Sequence, residues 1–323
     1  MTSGGVQPQP DYRPDAAGQF LTFVVPALNG CNLQCPFCLV RQRQEITDTN
    51  LQPDDLARFI REAAERAPIF ALAIQGYEPL LPESLPYTQA VLATGRFLGI
   101  PATFVTNGVK LADAIELLTT LSPTKIAISL DGAAADIHDR IRGVAGAWAA
   151  AVAGIGRAVE VLAPRTRLVV TSVLLPSKRH YLDGMPARLR EIGIDRWIIN
   201  PLLRVGREQA GGPVGDRASL YRDLLILQGA ADRAGVRLTV DDEFDHLGHA
   251  RVAHPSLRAL HVRTLPPNVD IFRLAPSGQC SVGDEIFKQV TPDTPRWQPG
   301  TMHAGDFLEK LPSAKFATPT VQL

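Results

Sequence analysis

The stretch "PALNGCNLQCPFCLVRQ", Pro26–Gln42, follows directly on the apolar run that begins at Phe20 and places Cys31, Cys35 and Cys38 within eight positions. The chain of 323 residues has four cysteines in all, so three of them gather at one point. Spacings of four and three residues let three thiolates converge when a loop carries them, and Gly30 and Pro36 favour a loop over a helix. Converging thiolates are ligands for soft metal.

Three other readings compete. A disulfide is disfavoured if the chain stays in a reducing compartment. A structural zinc site usually takes four ligands in two pairs, and the sequence has no second CxxC or HxxxH pair. Unreactive core cysteines have no reason to cluster. The reading that best accounts for the spacing is an iron–sulfur cluster with three protein thiolates and one iron left open, since ordinary clusters take four cysteines.

Outward from this stretch the chain alternates short β-branched apolar runs with helical segments, the trace of a parallel sheet covered by helices. The runs are 20–28, 69–76, 102–108, 125–132, 167–175 and 196–203. Between them, "PDDLARFIREAAERA" opens with Pro and two acids and spaces Leu56, Phe59, Ile60 and Ala63 with helical period. Further helices are expected at 84–98, 111–120, 146–162 and 181–192. The expected fold is α/β: a partial (β/α)6, TIM-like barrel of parallel strands over 20–203. A flexible segment 1–19 precedes it, a small C-terminal α+β extension covers 204–312, and 313–323 form a tail. In the extension, a helix near 218–234, a strand near 236–244 and a small hairpin within 269–290 are expected.

Composition bounds the function. The 33 basic and 33 acidic residues cancel, which gives no sign of a nucleic-acid or anionic-membrane surface. With 45% hydrophobic residues the chain can build a large core. The polar, Pro- and Gly-containing N-terminus does not read as a signal peptide, and no apolar run reaches the ~18 residues of a membrane span. The expectation is a cytoplasmic protein.

With CxxxCxxC just after the first strand and an aromatic before the last cysteine, the chain resembles the radical S-adenosylmethionine (SAM) superfamily. Four further stretches in order strengthen the resemblance: "QGYEP" (75–79) is similar to that family's GGEP motif, with Tyr77 in place of the second glycine, followed by "TNG" (106–108), "SLDG" (129–132) and "HDRIRG" (138–143), the last expected in a loop. Each short match is weak alone. Their order at predicted C-terminal strand ends, where parallel β/α folds place ligands, is specific. The order resembles the branch with molybdenum-cofactor cyclases, sulfatase-maturing enzymes and peptide-modifying enzymes.

The resemblance implies one [4Fe–4S] cluster on Cys31, Cys35 and Cys38, with SAM chelated at the open iron and cleaved to a 5′-deoxyadenosyl radical that abstracts hydrogen from substrate. It implies cofactor contacts from Phe37 beside the adenine, from Gly76, Tyr77, Glu78 and Pro79 at the SAM amino group, and from Asn107. Ser129 and Arg142 fall near the ribose or carboxylate. A flavodoxin- or ferredoxin-like one-electron reductant is implied as partner. The charges agree: a bound carboxylate needs a cation such as Arg142, and a bound ammonium needs an anion such as Glu78.

Relatives on this branch carry cysteine-rich SPASM or twitch extensions that hold auxiliary clusters. Here "RLAPSGQCSVGDEIFKQV" (273–290) has Cys280 alone. With a single cluster, a redox-neutral outcome such as epimerisation is easier to supply than an oxidation. Cys280 is a candidate hydrogen donor to a substrate radical, and a core cysteine is the competing reading. A small polar metabolite, such as a sugar, aminoglycoside or nucleoside, is the expected substrate. Radical elimination, decarboxylation, oxidation and peptide modification stay as alternatives, and a cluster-bearing sensor or a degenerate SAM-binding protein without turnover is the non-enzymatic one. The acidic stretch 239–249, with His254 and His261, reads as a hydrated loop, and Trp148, Trp197 and Trp297 as core or barrel-edge residues.

Overall fold

The structure, a computed structural model, describes residues 20–25, 30–38, 51–66, 68–163, 165–175, 177–201, 217–241, 260–263, 269–282 and 294–311. The strands are β1 (Phe20–Val25), β2 (Ile69–Ile74), β3 (Ala102–Thr106), β4 (Lys125–Ser129), β5 (Arg167–Leu174), β6 (Arg196–Pro201), β7 (Arg237–Asp241), β8 (Val262–Arg263), β9 (Val269–Leu274) and β10 (Cys280–Val282). The α-helices are α1 (Pro53–Ala64), α2 (Leu85–Leu98), α3 (Ile115–Leu121), α4 (Ala135–Arg142), α5 (Ala147–Val161), α6 (Met185–Glu191), α7 (Arg217–Ala234) and α8 (Ala304–Glu309).

All ten strands form one sheet in the order β10-β9-β1-β2-β3-β4-β5-β6-β7-β8. The six expected β/α strands are neighbours in sequence order and parallel, which gives the expected partial TIM-like barrel. The strands after residue 203 extend that sheet at both edges. β7 joins β6 in parallel and β8 joins β7, while β9 runs parallel to β1 and turns back through the antiparallel β10. The expected hairpin is thus built into the sheet beside the cysteine loop.

Strand alternation sorts the side chains into two faces. One face packs under the helices: Ile126 and Ile128 on β4, Val170 on β5, and Trp197 and Ile199 on β6 are fully buried in the core cluster that also holds Phe59, Ile60, Leu92 and Ile155 from the helices. Each such side chain contributes about 1.5–3 kcal/mol on leaving water. The positions between them, Ala127 and Ser129, Val169 and Thr171, Ile198 and Asn200, lie on the other face, the concave side of the sheet.

Helix α1 shows why its residues form a helix. Pro53 supplies the fixed φ of a first turn, and the Gln52 amide donates to Asp55 Oδ2 at 3.1 Å. Leu56, Phe59, Ile60 and Ala63 then fall on one buried stripe. One expectation is corrected: "HDRIRG" lies on α4 and its C-cap, not in a loop. Ile137 and Ile141 at helical spacing and Gly143 in the left-handed conformation that ends the helix explain the difference. Trp197 and Trp297 are core residues as expected. No single helix among the described residues is long and apolar enough to cross a membrane.

Candidate active site

The sequence motifs meet at the C-terminal ends of β1 to β4. Gly30 begins the described part of the cysteine loop, and its carbonyl accepts the Glu78 amide at 3.0 Å, which ties that loop to the end of β2. The turn after β2 requires Gly76: its φ of 120° is one that a side chain strongly disfavours. That turn carries Glu78 inward, where it is 2% exposed.

Glu78 is held from two strand ends. Its Oε1 accepts from Thr106 Oγ1 at 2.7 Å and from the Leu80 amide at 3.1 Å, and Oε2 accepts from the Asn107 amide at 2.7 Å. Burial pushes the carboxyl up to about 7 against the opposing pull of these donors. Oε2, with one donor among the described residues, keeps a lone pair for a ligand cation. Asn107 in turn donates through Nδ2 to Asn32 Oδ1 at 2.7 Å, with Cys31 Sγ at 3.7 Å, so the end of β3 also grips the cysteine loop.

The three loop cysteines are free thiols; Cys31 is exposed, Cys35 buried and Cys38 half-buried. A tight turn places the Cys38 amide on the Cys35 carbonyl at 3.2 Å. Loss of solvent around the sulfurs raises both the Cys35 thiol and, although that residue is exposed overall, the Cys31 thiol; the Leu33 backbone and Asn107 at Cys31, and Arg142 at Cys35, act in the opposite direction. Among the described residues no three His, Cys, Asp or Glu side chains are grouped around a single point that would hold one metal ion. Three thiolates on one loop, two of them facing N–H donors, fit a cluster in which each thiolate takes its own iron.

The end of β4 and α4 complete the rim. Ser129 ends β4 and is 8% exposed. Arg142, the last residue of α4, points back to the cysteine loop. Its Nε lies 2.6 Å from Asp131 Oδ2, its Nη1 is 3.7 Å from Cys35 Sγ, and its guanidinium carbon lies 5.7 Å from the centre of the Phe37 ring. Burial alone would lower its pKa, but Asp131 and Cys35 outweigh that and raise it. Sequence reasoning took Arg142 as a bidentate cation for a bound carboxylate, whereas Nε is committed to Asp131.

Asp131 was not singled out. It is fully buried, its Oδ1 accepts the Val173 amide at 2.8 Å, and its own amide donates to His138 Nδ1 at 3.0 Å. His138 and Arg142 are spaced i, i+4 on α4, a sequence signal that both face one partner. His138 accepts through Nδ1, which fixes the neutral tautomer, and burial with the nearby Arg142 lowers its pKa to about 4. Thr171 and Asn200 were also missed. They lie on the concave face, where Asn200 Nδ2 donates to Thr171 Oγ1 at 2.6 Å, and the available signal was their polarity at inward positions of apolar strands.

Cys280 does not join this rim; its place in the core favours the competing reading of a core cysteine over that of a hydrogen donor. It pairs directly with Leu274 in the antiparallel β9–β10 ladder, so the two side chains share a face. Cys280, Leu274, Phe272 and Trp297 belong to the helix-side core, and Cys280 is 2% exposed. Burial pushes its thiol up to about 12, opposed by Arg273. It is Arg273 and Ser281, also paired, that occupy the other face. Of the acidic stretch, Thr239 and Asp241 lie on β7, His261 is exposed, and 242–259, His254 included, lie outside the described residues.

A sheet with a tri-cysteine loop after its first strand, and with carboxylate, amide and guanidinium groups on the adjoining strand ends, is a candidate site for an iron–sulfur cluster beside a charged ligand. Comparison narrows the class. Residues 25–180 match the family described as the "Radical SAM superfamily". The chain is 33% identical over 128 residues to an AdoMet-dependent heme synthase of Methanosarcina barkeri, covering 39% of this chain and 35% of that protein. It is 35% identical over 135 residues to GTP 3′,8-cyclase 2 of Mycobacterium tuberculosis, covering 39% and 37%. The chain thus matches little more than a third of the length of these relatives. Among solved structures, Streptococcus suis SuiB bound to precursor peptide SuiA superposes with a TM-score of 0.66 at 16% identity, over 86% of this chain and 62% of that one. The protein anSMEcpe with bound AdoMet gives 0.66 at 15%, over 92% and 81%. These distant structures share the fold. Residues 25–180, just under half of the chain, thus match the radical SAM superfamily, whose members use a [4Fe–4S] cluster and S-adenosylmethionine.

Proposed function

We propose that Cys31, Cys35 and Cys38 hold one [4Fe–4S] cluster, that the rim beside them binds SAM, and that the chain abstracts hydrogen from a small polar metabolite of sugar, aminoglycoside or nucleoside type. The observation that carries the reading is the joining of the cysteine loop to Glu78 and Asn107 by direct hydrogen bonds, which sets ligand groups and thiolates in one rigid rim. When bound, the reduced cluster supplies the electron that cleaves SAM into methionine and the 5′-deoxyadenosyl radical.

The chain's own residues bind and orient. Glu78, with Pro79 fixing its turn behind Gly76 and Tyr77, offers the lone pair on Oε2 to the SAM ammonium. The half-buried ring of Phe37 stands ready for the adenine, and Ser129 for the ribose. Arg142, ion-paired with Asp131 through its Nε side and with Nη1 3.7 Å from Cys35, offers its remaining N–H groups to the SAM carboxylate. Thr171 and Asn200, on the concave face beyond Ser129, give the substrate's hydroxyls hydrogen-bonding partners. Sequence and burial support a polar substrate at that place.

The favoured outcome is redox-neutral. Once three cysteines are used the chain has one left, too few for a second cluster of the usual kind to take up an electron. Epimerisation and elimination both satisfy this, with the returning hydrogen coming from a source other than Cys280. A flavodoxin- or ferredoxin-like protein is the proposed reductant.

The test is anaerobic reconstitution with iron and sulfide, followed by dithionite and SAM, with 5′-deoxyadenosine measured by mass spectrometry. Its formation, dependent on all three loop cysteines, is expected. An intact cluster that yields none above background overturns the enzymatic reading and leaves the sensor.

A further inference from the structure

We propose that Asp131 and Arg142 form a charge relay onto the thiolate of Cys35 that sets the reduction potential of the cluster, with Arg142 as the charge in contact and Asp131 as the residue that positions it. The inference rests on the cluster assignment made above and goes beyond a SAM contact for Arg142.

Three observations converge. The guanidinium of Arg142 is buried and lies with Nη1 3.7 Å from Cys35 Sγ and Nε 2.6 Å from Asp131 Oδ2. Asp131 is itself fixed from both sides, by the Val173 amide on Oδ1 and by its own amide on His138 Nδ1. Finally, the backbone at the end of α4 is stapled to the cysteine loop. The Gln34 amide donates to the Arg142 carbonyl at 2.8 Å, and Gly143, at φ 74°, packs so closely that a Cβ there would lie 2.9 Å from the Gln34 carbonyl oxygen. This staple holds the end of α4, from which the Arg142 side chain reaches the thiolate, against the cysteine loop.

A fixed cation and an N–H donor at a ligating sulfur both favour the cluster carrying one more negative charge, and a low-dielectric site magnifies the effect. Asp131, a buried anion one group further away, opposes it. The pair therefore sets two contributions of opposite sign. The contact at Cys31 is of a different kind, because the Asn107 amide there brings a donor without net charge.

Opposite signs give the test its resolution. In the reconstituted full chain without SAM, the potential of the one-electron couple is measured by redox titration with electron paramagnetic resonance. Arg142→Gln is expected to lower the potential, so that at a fixed applied potential the ratio of reduced to oxidised cluster falls about tenfold, a shift of about 59 mV for one electron. Asp131→Asn, which keeps an acceptor for Val173, is expected to raise it. The double variant is expected to fall between the two single variants.

If Arg142→Gln fails to hold a cluster, Arg142→Lys, which keeps the charge but loses the fork geometry, and Asp131→Asn decide the matter: Asp131→Asn must still raise the potential. Unchanged potentials at full iron content, or shifts of one sign in both single variants, overturn the inference. A wild-type chain that assembles no [4Fe–4S] cluster overturns the functional reading as well, and so is distinct from failure of this inference alone.

Discussion

Two cysteine-bearing segments lie one strand apart in the sheet, the loop after β1 and the strand β10, with β9 between them. Their surroundings differ completely. The loop thiols meet polar donors, Asn107 at Cys31 and Arg142 at Cys35, although Cys35 also packs in a small apolar cluster with Leu33 and Ala147. Cys280 is turned into the apolar layer with Leu274 and Trp297, its thiol raised to about 12. Chemistry follows from the face a cysteine occupies, not from its distance along the sheet. A thiolate needs donors and cations close to its sulfur; at Cys35 Arg142 supplies both, whereas at Cys280 burial outweighs the pull of Arg273.

The comparison is broken most forcefully by exchanging the fates of the two sites. Cys35→Ser is expected to abolish the intact cluster and, with it, at least 99% of 5′-deoxyadenosine formation, on the order of the loss expected when a buried ligand of a metal site is removed. Iron content and the visible absorption of the reconstituted protein read the result. A Cys35→Ser protein with full iron and wild-type turnover would show that the loop is not the cluster site.

Glu78 is next in size. Glu78→Gln keeps the shape but removes the charge, and SAM affinity is expected to fall about 10- to 100-fold, the range of a charged hydrogen bond in a buried site. The dependence on pH sharpens this. Because burial places Glu78 at about 7, the carboxylate needed for a cation forms as pH rises through neutrality, so wild-type affinity climbs between about pH 6 and about pH 8. In the ligand-free protein the raised value has the opposite consequence, a native state that loses stability as pH rises from about 4.5 toward about 7. Equilibrium binding across this range checks the first part and chemical denaturation of the ligand-free protein the second: Glu78→Gln should show a flat binding profile, and a variant that keeps the wild-type slope removes Glu78 from the ammonium site.

The rim was legible in the sequence because each motif sits where a strand ends, and a parallel sheet brings consecutive strand ends together. Gly76, Glu78, Asn107, Ser129 and the three loop cysteines are all on or beside that rim. Asp131 was hidden although it stands inside "SLDG", because its partners come from β5 and from the far end of α4. The loop expected at 138–143 concealed the i, i+4 relation of His138 and Arg142 that α4 creates. For Cys280 the difficulty was parity. In "FRLAPSGQC" the turn between β9 and β10 sets the register, and a slip of one residue moves every side chain to the opposite face. The turn in the structure pairs Cys280 with Leu274, so the thiol goes to the core and Ser281 goes with Arg273.

The staple between α4 and the loop makes a smaller prediction. Gly143→Ala asks an L-residue to hold φ 74° and sets its Cβ against the Gln34 carbonyl oxygen, for a cost of about 1–2 kcal/mol. The melting temperature of the apo-protein should fall by a few degrees, and the reconstituted cluster should lose iron faster to a chelator. Normal stability with normal iron retention would show that α4 is not what holds the loop.

The smallest effect is expected at Cys280, and it tests the contrast between the two faces directly. Cys280→Ala removes one sulfur from a packed layer beside Leu274 and Trp297, for a loss of about 1 kcal/mol. Cys280→Ser puts a hydroxyl in the same apolar place and should be worse, because that group would have to leave water for surroundings chosen for a thiol. Cluster content and 5′-deoxyadenosine formation should stay within about twofold of wild type in the Ala variant, since the changed atom faces the helices and the chemistry faces the concave side. Chemical denaturation followed by fluorescence measures the first effect, with Trp297 a neighbour of the altered site, and product analysis measures the second. A Cys280→Ala protein of native stability that makes 5′-deoxyadenosine but no longer completes turnover would reverse the assignment of faces, and return Cys280 to the role of hydrogen donor.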